Sequence, residues 1–174
     1  MSLTIRRAGG ADAEETARVF SAGFKSMPGI PKIHSDEEDR AFMRSLIMTK
    51  EVWVALWDGQ IAGMMCLDGD WLEQLYVDPE HQSRSVGYAL FYTAKLERPK
   101  GFQFWTFQAN KRARRFYEKL GCEPVEFTDG SRNEERTPDV RYVYKGKKRR
   151  LKRLWRNLTN FSLSKDSATT SRTA

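Results

Sequence analysis

The sequence has little cysteine, little histidine and no long apolar run. Its 174 residues include two cysteines and two histidines, and no Cys/His cluster has metal-ligand spacing. Cys66 and Cys122 lie among apolar residues, which predicts buried thiols and no metal. The apolar runs are far shorter than the ~20 residues that a membrane-spanning helix needs, and no hydrophobic stretch follows the first basic residues. We therefore expect a cytoplasmic protein.

Basic charge is unevenly distributed along the chain, whose formal net charge is +7. Residues 1–144 hold 20 Lys and Arg against 22 Asp and Glu, whereas residues 145–174 hold ten against one. The nearly neutral part has no basic footprint for a phosphate backbone. Since 40% of the residues are hydrophobic, there is apolar material for one core. We predict one domain over 1–145 and a basic tail over 146–174.

Hydrophobic periodicity predicts an α+β fold in the order βαα-βββ-αβ-αββ. Strands are expected at 3–7, 51–57, 60–67, 71–77, 102–107, 125–127 and 141–144. The pairs Asp12/Glu15 and Ser35/Glu38 predict capping boxes for the first two helices, and the second helix is expected to direct Phe42 inward. Asp58-Gly59 predicts a tight hairpin. Asn110 and Gly121 are typical of the start and the end of the last helix.

Two segments stand where a ligand could be bound. Gln82-Ser83-Arg84-Ser85-Val86-Gly87-Tyr88-Ala89 lies between a strand and the helix predicted from about Val86 to Glu97, so backbone N–H groups and the helix dipole can hold a pyrophosphate. Alone, this segment is as consistent with an ordinary turn. The second segment runs from Asn110 to Gly121 and follows the strand that ends at Phe107.

Together these segments resemble the GNAT acetyltransferase superfamily. The family motif Gln/Arg-x-x-Gly-x-Gly/Ala matches from Gln82 to Gly87, with Ser85 in place of the first glycine. The signature Asn-x-x-Ala-x-x-Phe-Tyr-x-x-x-Gly matches fully from Asn110 to Gly121. The resemblance covers roughly residues 3–145, and the stretch 127–142 looks like that of many bacterial members. It implies the GNAT acyl-CoA N-acyltransferase fold, a mixed central sheet with helices on both faces.

The resemblance also implies acetyl-CoA as the co-substrate, bound between the strands that end at Val77 and Phe107. It implies cofactor contacts from Tyr76, Val77, Gln82, Ser83, Arg84, Ser85, Val86, Gly87, Tyr88 and Asn110. Tyr117 would donate a proton to the departing thiolate, and Glu73 would act as the base through ordered water. Three alternatives stay open: Tyr117 as a core aromatic, Asn110 as a helix cap and Glu73 on the solvent face.

The acceptor is expected between the loop after the first helix and the loop between the last two strands. An acidic, aromatic-lined mouth suits a cationic amine, and Phe24, His34 and Asp129 are the predicted substrate residues. The two loops as a whole supply Phe24, Met27, Ile30, His34, Asp129, Asn133, Glu134, Glu135 and Asp139. A surface loop is also often acidic for solubility alone. The function implied is direct transfer of an acetyl group to a primary amine of a small molecule or peptide. The alternative is a non-catalytic acyl-CoA-binding module. Neither the acceptor nor the choice between monomer and homodimer follows from the sequence.

The tail predicts a basic amphipathic segment over 146–161. Its apolar residues recur at helical spacing among Lys and Arg: Leu151, Leu154, Trp155 and Leu158. Such a stripe suits an anionic membrane surface, which would place the protein peripherally at the membrane. Nucleic acid is the rival partner for the tail, and a disordered extension or a helix that docks on its own domain would need neither. The Ser- and Thr-rich end is expected to be disordered.

Overall fold

The computed structural model describes residues 2–146, and its elements follow the predicted order. The strands are β1 (Leu3–Arg7), β2 (Glu51–Trp57), β3 (Gln60–Asp68), β4 (Trp71–Val77), β5 (Phe102–Phe107), β6 (Glu123–Phe127) and β7 (Asp139–Tyr144). The helices are α1 (Ala13–Lys25), α2 (Asp36–Thr49), α3 (Val86–Glu97) and α4 (Lys111–Lys119). β6 and β7 each begin two residues earlier than predicted. Within 2–146, every helix is too short or too polar to cross a membrane. The membrane and nucleic-acid predictions rest on 147–174, outside the described residues.

The strands form one mixed sheet in the order β1-β2-β3-β4-β5-β7-β6. Neighbouring strands are antiparallel except for β4 and β5. These two share a single registered pair, Trp71 with Gln103, and the Gln103 N–H donates to the Asp70 carbonyl at 2.9 Å. Beyond that pair the ladder stops, and a gap opens toward the carboxyl ends of both strands. We call this gap the slot.

The sheet separates two hydrophobic cores. On one face it packs against α3 and α4 through buried residues that include Val86, Leu90, Phe91 and Tyr117. On the other face it packs against α1 and α2 through residues that include Val19, Phe20, Met43 and Leu46. The predicted arrangement of helices on both faces is confirmed.

Two glycines let helices lie close to the middle of the sheet. A Cβ on Gly63 of β3 would lie 2.8 Å from Val86 Cγ1 and 2.9 Å from Leu90 Cδ1, both on α3. A Cβ on Gly23 of α1 would lie 3.0 Å from Tyr76 Cδ1 on β4. Atoms of a close-packed interior do not approach that closely. Glycine therefore brings the start of α3 and the end of α1 beside the carboxyl end of β4.

Several predicted turns and caps are confirmed. Ser35 and Glu38 form a reciprocal capping box at α2, and Asn110 Oδ1 accepts from the Ala113 N–H at 3.1 Å. The β2–β3 hairpin turns at Asp58-Gly59, with φ of 48° and 86°. These local signals are read correctly because each depends on residues within four positions of one another.

Two predictions about α1 and α2 are wrong. The Asp12/Glu15 capping box does not form, because the Asp12 carboxylate accepts from the Gly9 N–H at 2.7 Å and from Arg6 at 2.7 Å. A 3₁₀ turn over Gly10–Asp12 precedes α1 instead. Phe42 is 41% exposed rather than directed fully inward, because it borders a cavity described below.

Candidate active site

The site is organised around a β-bulge at Glu73. Leu72 pairs with Leu67 and Gln74 pairs with Cys66, so the register between β3 and β4 skips Glu73. A bulge adds one residue and shifts the strand's alternation by one. This shift explains how three residues that do not alternate cleanly in the sequence join the same core: Leu72, Leu75 and Val77.

The backbone of β4 offers a donor to the slot at Val77. The Asp78 N–H is directed to β3, where it donates to the Ala62 carbonyl at 2.9 Å. Since successive residues of a strand direct their N–H groups to opposite sides, the Val77 N–H is directed toward β5. A hydrogen-bond donor therefore faces the slot where the two strands diverge.

On the side of α3 and α4, the slot opens into a cavity of about 680 Å³, the α3–α4 cavity, lined by β4, β5, the segment before α3 and the start of α4. Eight of the predicted cofactor residues line it: Tyr76, Val77, Gln82, Ser83, Ser85, Gly87, Tyr88 and Asn110. Two predicted residues do not. The Val86 side chain is buried in the core, and the Arg84 guanidinium lies over the Trp57 ring, 5.7 Å from its centroid.

The segment 82–87 has the backbone shape of an anion cradle although it lacks the family's first glycine. Ser83 and Ser85 both adopt left-handed conformations with φ of 65°. Left-handed residues that alternate with others turn neighbouring N–H groups toward one point, and the first N–H groups of α3 have no acceptor within the helix. A Cβ on Gly87 would lie 3.4 Å from Val77 Cγ2, an ordinary contact. Charge or bulk beyond the Cβ is therefore what would disturb the cradle.

Basic side chains from α4 border the cradle and were not among the predicted site residues. Lys111, Arg112 and Arg115 line the α3–α4 cavity, where Glu73 is the one carboxylate among residues 2–146. The Arg112 guanidinium donates to Ser83 Oγ at 3.2 Å and also contacts Gln82. The sequence pattern that could have predicted these basic side chains is Lys-Arg-Ala-Arg-Arg, directly after Asn110. The cavity is electropositive where an anionic ligand would enter.

Tyr117 lines the α3–α4 cavity and is also a core residue. Its side chain is 7% exposed, and its ring centroid lies 4.3 Å from that of Phe104. Burial raises the pKa of the Tyr117 phenol, so the hydroxyl remains protonated at neutral pH. The packing role and a proton-donating role are therefore compatible at one position.

Glu73 lies where two cavities meet, and it is held there by Lys50. The Lys50 ammonium donates to both oxygens of the Glu73 carboxylate, at 2.7 and 2.6 Å, and lies 3.1 Å from Asp68. The Glu73 side chain is 29% exposed. The ion pair with Glu73 raises the pKa of Lys50. Lys50 was not among the predicted site residues, because no short-range pattern in the sequence indicates that the end of α2 lies beside the bulge on β4.

On the other face of the sheet, a cavity of about 920 Å³ lies between the α1–α2 loop and the β6–β7 loop. We call it the loop cavity. It shares six lining residues with the α3–α4 cavity: Glu73, Gln74, Tyr76, Trp105, Thr106 and Phe107. The predicted acceptor residues Phe24 and His34 line it, but Asp129 does not. The Asp129 carboxylate accepts from the Ser131 N–H at 2.9 Å, within its own loop.

Aromatic rings form one wall of the loop cavity beside the slot. The ring centroid of Tyr76 lies 4.9 Å from that of Phe20 and 6.3 Å from that of Phe24. Phe24 also approaches Phe107 at 6.4 Å, edge to face. Such a wall packs against methylene groups and attracts cations through the ring faces.

Carboxylates dominate the rest of the loop cavity. Within the described part of the chain, seven carboxylates line it, against three Lys or Arg side chains: Glu38, Asp39, Glu73, Glu126, Glu134, Glu135 and Asp139, against Lys32, Arg132 and Arg141. His34 Nε2 lies 2.9 Å from Glu134 Oε2, which joins the two loops. This contact raises the pKa of His34. The loop cavity is therefore electronegative.

Neither cysteine chemistry nor a metal centre is evident in the part of the chain that the structure describes. Within 2–146, no group of three or more His, Cys, Asp or Glu side chains could hold a metal ion. Cys66 and Cys122 are buried thiols, and burial raises the pKa of each to about 12. Since the thiolate is the nucleophilic form, neither is poised for attack at neutral pH.

Comparisons with known proteins agree with this geometry. A family model described as an acetyltransferase (GNAT) domain matches residues 49–124, a range that includes Glu73, the cradle and Tyr117. No match was found among curated proteins.

Solved structures of GNAT proteins have the same fold. Apo YjaB from Escherichia coli is 23% identical, with 84% of this chain and 100% of that chain covered and a TM-score of 0.70. The PaiA N-acetyltransferase from Thermoplasma acidophilum, in complex with coenzyme A, is 22% identical, with 83% and 99% covered and a TM-score of 0.65. The ribosomal-protein-S18-alanine N-acetyltransferase from Escherichia coli is 15% identical, with 84% and 96% covered and a TM-score of 0.64.

The bulged β4, the slot beside β5 and the cradle before α3 all lie within or beside the matched residues. The chain has the GNAT acyl-CoA N-acyltransferase fold, and its residues 49–124 match the model of an acetyltransferase (GNAT) domain.

Proposed function

We propose that the protein transfers the acetyl group of acetyl-CoA directly to a primary amine, of a small molecule or a peptide, in a ternary complex. One observation carries this proposal: two cavities on opposite faces of the sheet share the lining residues of the slot. A thioester that enters from one cavity and an amine that enters from the other would meet beside Glu73. Placing reactants together in this way supplies much of the rate enhancement of acyl transfer.

The α3–α4 cavity fits acetyl-CoA. The N–H groups of the cradle suit a pyrophosphate, and Lys111, Arg112 and Arg115 match the negative charge of the nucleotide. The slot can receive the extended thioester arm, with the Val77 N–H as a backbone partner. The Thermoplasma acidophilum structure, whose fold is similar, contains coenzyme A, which supports this assignment.

Three groups of the chain would then serve the transfer. Glu73 would accept the proton of the amine through a water molecule, which leaves a neutral nitrogen to form the new bond to the acetyl carbon. The Val77 N–H would stabilise negative charge on the acetyl oxygen. As the carbon–sulfur bond breaks, the Tyr117 phenol would donate its proton to the departing sulfur and would regain one from the nitrogen, which loses its second proton as the amide forms. Lys50 would fix the orientation of the Glu73 carboxylate.

Initial-rate kinetics with acetyl-CoA and a panel of amines test the proposal. Varying both substrates should give intersecting double-reciprocal lines, because both must be bound before transfer. Parallel lines would indicate a covalent acetyl-enzyme and contradict direct transfer. Binding of acetyl-CoA without CoA release from any polyamine, aminoglycoside, amino acid or peptide would favour the alternative, a non-catalytic acyl-CoA-binding module.

A further inference from the structure

The loop cavity contains one carboxylate that the rest of the molecule does not use. Among residues 2–146, six of its seven lining carboxylates have a partner: Asp39 with Lys32, Glu126 with Arg141, Glu73 with Lys50, Glu38 with Ser35, Glu134 with His34, and Asp139 with Asn133. The Glu135 side chain has no hydrogen bond or ion pair with any described residue. It is partly buried and lines the cavity.

Glu135 lines the same cavity as the aromatic wall. Phe24 and Tyr76 line this cavity with it, and Tyr76 is one of the residues that also line the α3–α4 cavity at the slot. The Glu135 carboxylate therefore belongs to the cavity through which an acceptor would reach the slot.

The cationic side chains of the loop cavity are engaged, in contrast to Glu135. The Lys32 ammonium lies 2.7 Å from the buried Asp39 carboxylate. The Arg141 and Arg132 guanidiniums lie 2.9 and 3.4 Å from Glu126. A ligand carboxylate would have to break one of these pairs. A second ammonium on the ligand could pair with Glu135 without breaking an existing ion pair. The methylene chain between the two nitrogens could pack on the aromatic rings.

We propose that Glu135 selects acceptors with a second positive charge, so that the preferred substrate class is an aliphatic diamine or polyamine. This inference rests on the proposed function. The reacting amine would lie at the slot, the methylene chain would pack on Phe24 and Tyr76, and the distal ammonium would pair with Glu135. A partly exposed ion pair of this kind changes affinity modestly, by about two- to fivefold.

Three acceptors of equal chain length test the charge preference: 1,5-diaminopentane, pentylamine and 5-aminopentanoate. The wild-type protein should show a KM for the diamine about two- to fivefold below that for pentylamine, and the poorest rate with 5-aminopentanoate. Glu135→Gln should raise the KM for the diamine to that of pentylamine and leave pentylamine unchanged. Glu97→Gln removes an exposed carboxylate on α3, outside both cavities, and should change neither value.

Reversing the charge at position 135 tests the same inference through a gain of activity with a different acceptor. Glu135→Lys should make 5-aminopentanoate a better acceptor than the diamine, and a melting curve will show that the variant is folded. Equal KM values for the three amines in the wild type would overturn the inference while leaving acetyl transfer established. If no amine is acetylated, the proposed function fails separately. Calorimetric titration of the CoA-bound protein with the diamine and pentylamine then decides, because equal affinities would still overturn the role of Glu135.

Discussion

The two cavities on either side of the slot differ in charge and in construction. The α3–α4 cavity is bordered by basic side chains from α4 and by the N-terminus of α3, and one carboxylate of residues 2–146 lines it. From the same residues, the loop cavity has seven carboxylates against three Lys or Arg side chains, and two connecting loops form much of its wall. One side therefore suits an anionic ligand and the other a cationic one. The opposite charges would favour the arrival of acetyl-CoA and an amine from opposite faces.

The two cavities also differ in which groups would bind a ligand. Backbone groups of the α3–α4 cavity would determine the affinity for the nucleotide, and loop side chains of the loop cavity would determine the choice of acceptor. Backbone groups at a helix start recognise a phosphate whatever molecule carries it. The loop cavity uses side chains from loops, which vary without disturbing the sheet. We expect changes in the α3–α4 cavity to affect every acceptor equally, and changes in the loop cavity to affect acceptors according to their charge.

The largest expected effect is at the cradle. Gly87→Glu should weaken acetyl-CoA binding about 100-fold, because it places a carboxylate against the pyrophosphate in a partly desolvated site. A carboxylate in the first turn of α3 is compatible with the helix dipole, so the fold should persist. The rise in melting temperature on adding acetyl-CoA should disappear.

Gly87→Ala is the matched control for that substitution. Its methyl group would be in ordinary contact with Val77 Cγ2 at 3.4 Å, and the thermal shift with acetyl-CoA should be retained. A full shift in Gly87→Glu would show that the nucleotide binds elsewhere.

Tyr117→Phe should lower kcat about 100-fold while leaving the KM for acetyl-CoA nearly unchanged. The phenol is needed only as the carbon–sulfur bond breaks, whereas the ring that packs on Phe104 is kept. Steady-state kinetics with a good acceptor measure the effect, and the melting temperature is the control for packing. If kcat is that of the wild type, Tyr117 is a packing residue alone.

Glu73→Gln should lower kcat about tenfold to 100-fold. The amide keeps the shape at the bulge but cannot accept the amine proton. Lys50→Met is the companion variant, since it frees the carboxylate without removing it and should lower kcat less. A kcat equal to that of the wild type in Glu73→Gln assigns the base to another group.

Ser83→Gly combined with Ser85→Gly should stabilise the protein without acetyl-CoA. Both serines have φ of 65°, a conformation that costs a non-glycine residue about 1 kcal/mol or more. The relief of this conformational cost is partly offset by the greater entropy that glycine gives the unfolded chain. The melting temperature should therefore rise by about 2–4 °C. Affinity for acetyl-CoA should change by less than about threefold, since the cradle uses backbone N–H groups. A tenfold loss of affinity would assign the hydroxyls a direct role.

The smallest expected effect is at the contact between the two loops. Glu134 raises the pKa of His34, so the contact is fully present below the imidazole's ordinary pKa and is lost as the pH rises through the raised value. NMR titration of the His34 imidazole should show the raised pKa in the wild type and a lower pKa in Glu134→Gln. Identical titrations would show that the loops are not joined in solution.

The sequence predicted the residues of the α3–α4 cavity much better than those of the loop cavity. The strand, turn and helix that build the α3–α4 cavity are contiguous, so Gln82 to Gly87 and Asn110 to Gly121 are recognisable as motifs. The loop cavity brings Phe24 together with Glu135 across the fold, and nothing local in the sequence encodes that approach. For the same reason the sequence places Asp129 and Glu135 in one acidic loop without showing which of them lines the cavity. Asp129 is the predicted substrate residue, whereas the structure has Glu135 in the cavity lining.

Two further features of the site could be recognised only from the three-dimensional structure. The bulge at Glu73 depends on the β3–β4 register, where Leu72 and Gln74 pair with consecutive residues of β3. The Lys50 pair with Glu73 joins the end of α2 to the middle of the sheet. Periodicity within one strand predicts neither, because each arises from how separate elements are placed against one another.

The central claim is that acetyl-CoA occupies the α3–α4 cavity and leaves the loop cavity open to the acceptor. Amide hydrogen exchange, with and without acetyl-CoA, tests it most directly, since bound ligand slows exchange of the amides it contacts or orders. We predict strong protection over 74–77, 82–88 and 110–115 and little change over 129–138. Protection over 129–138 with none over 82–88 would place the nucleotide on the opposite face of the sheet and contradict the account.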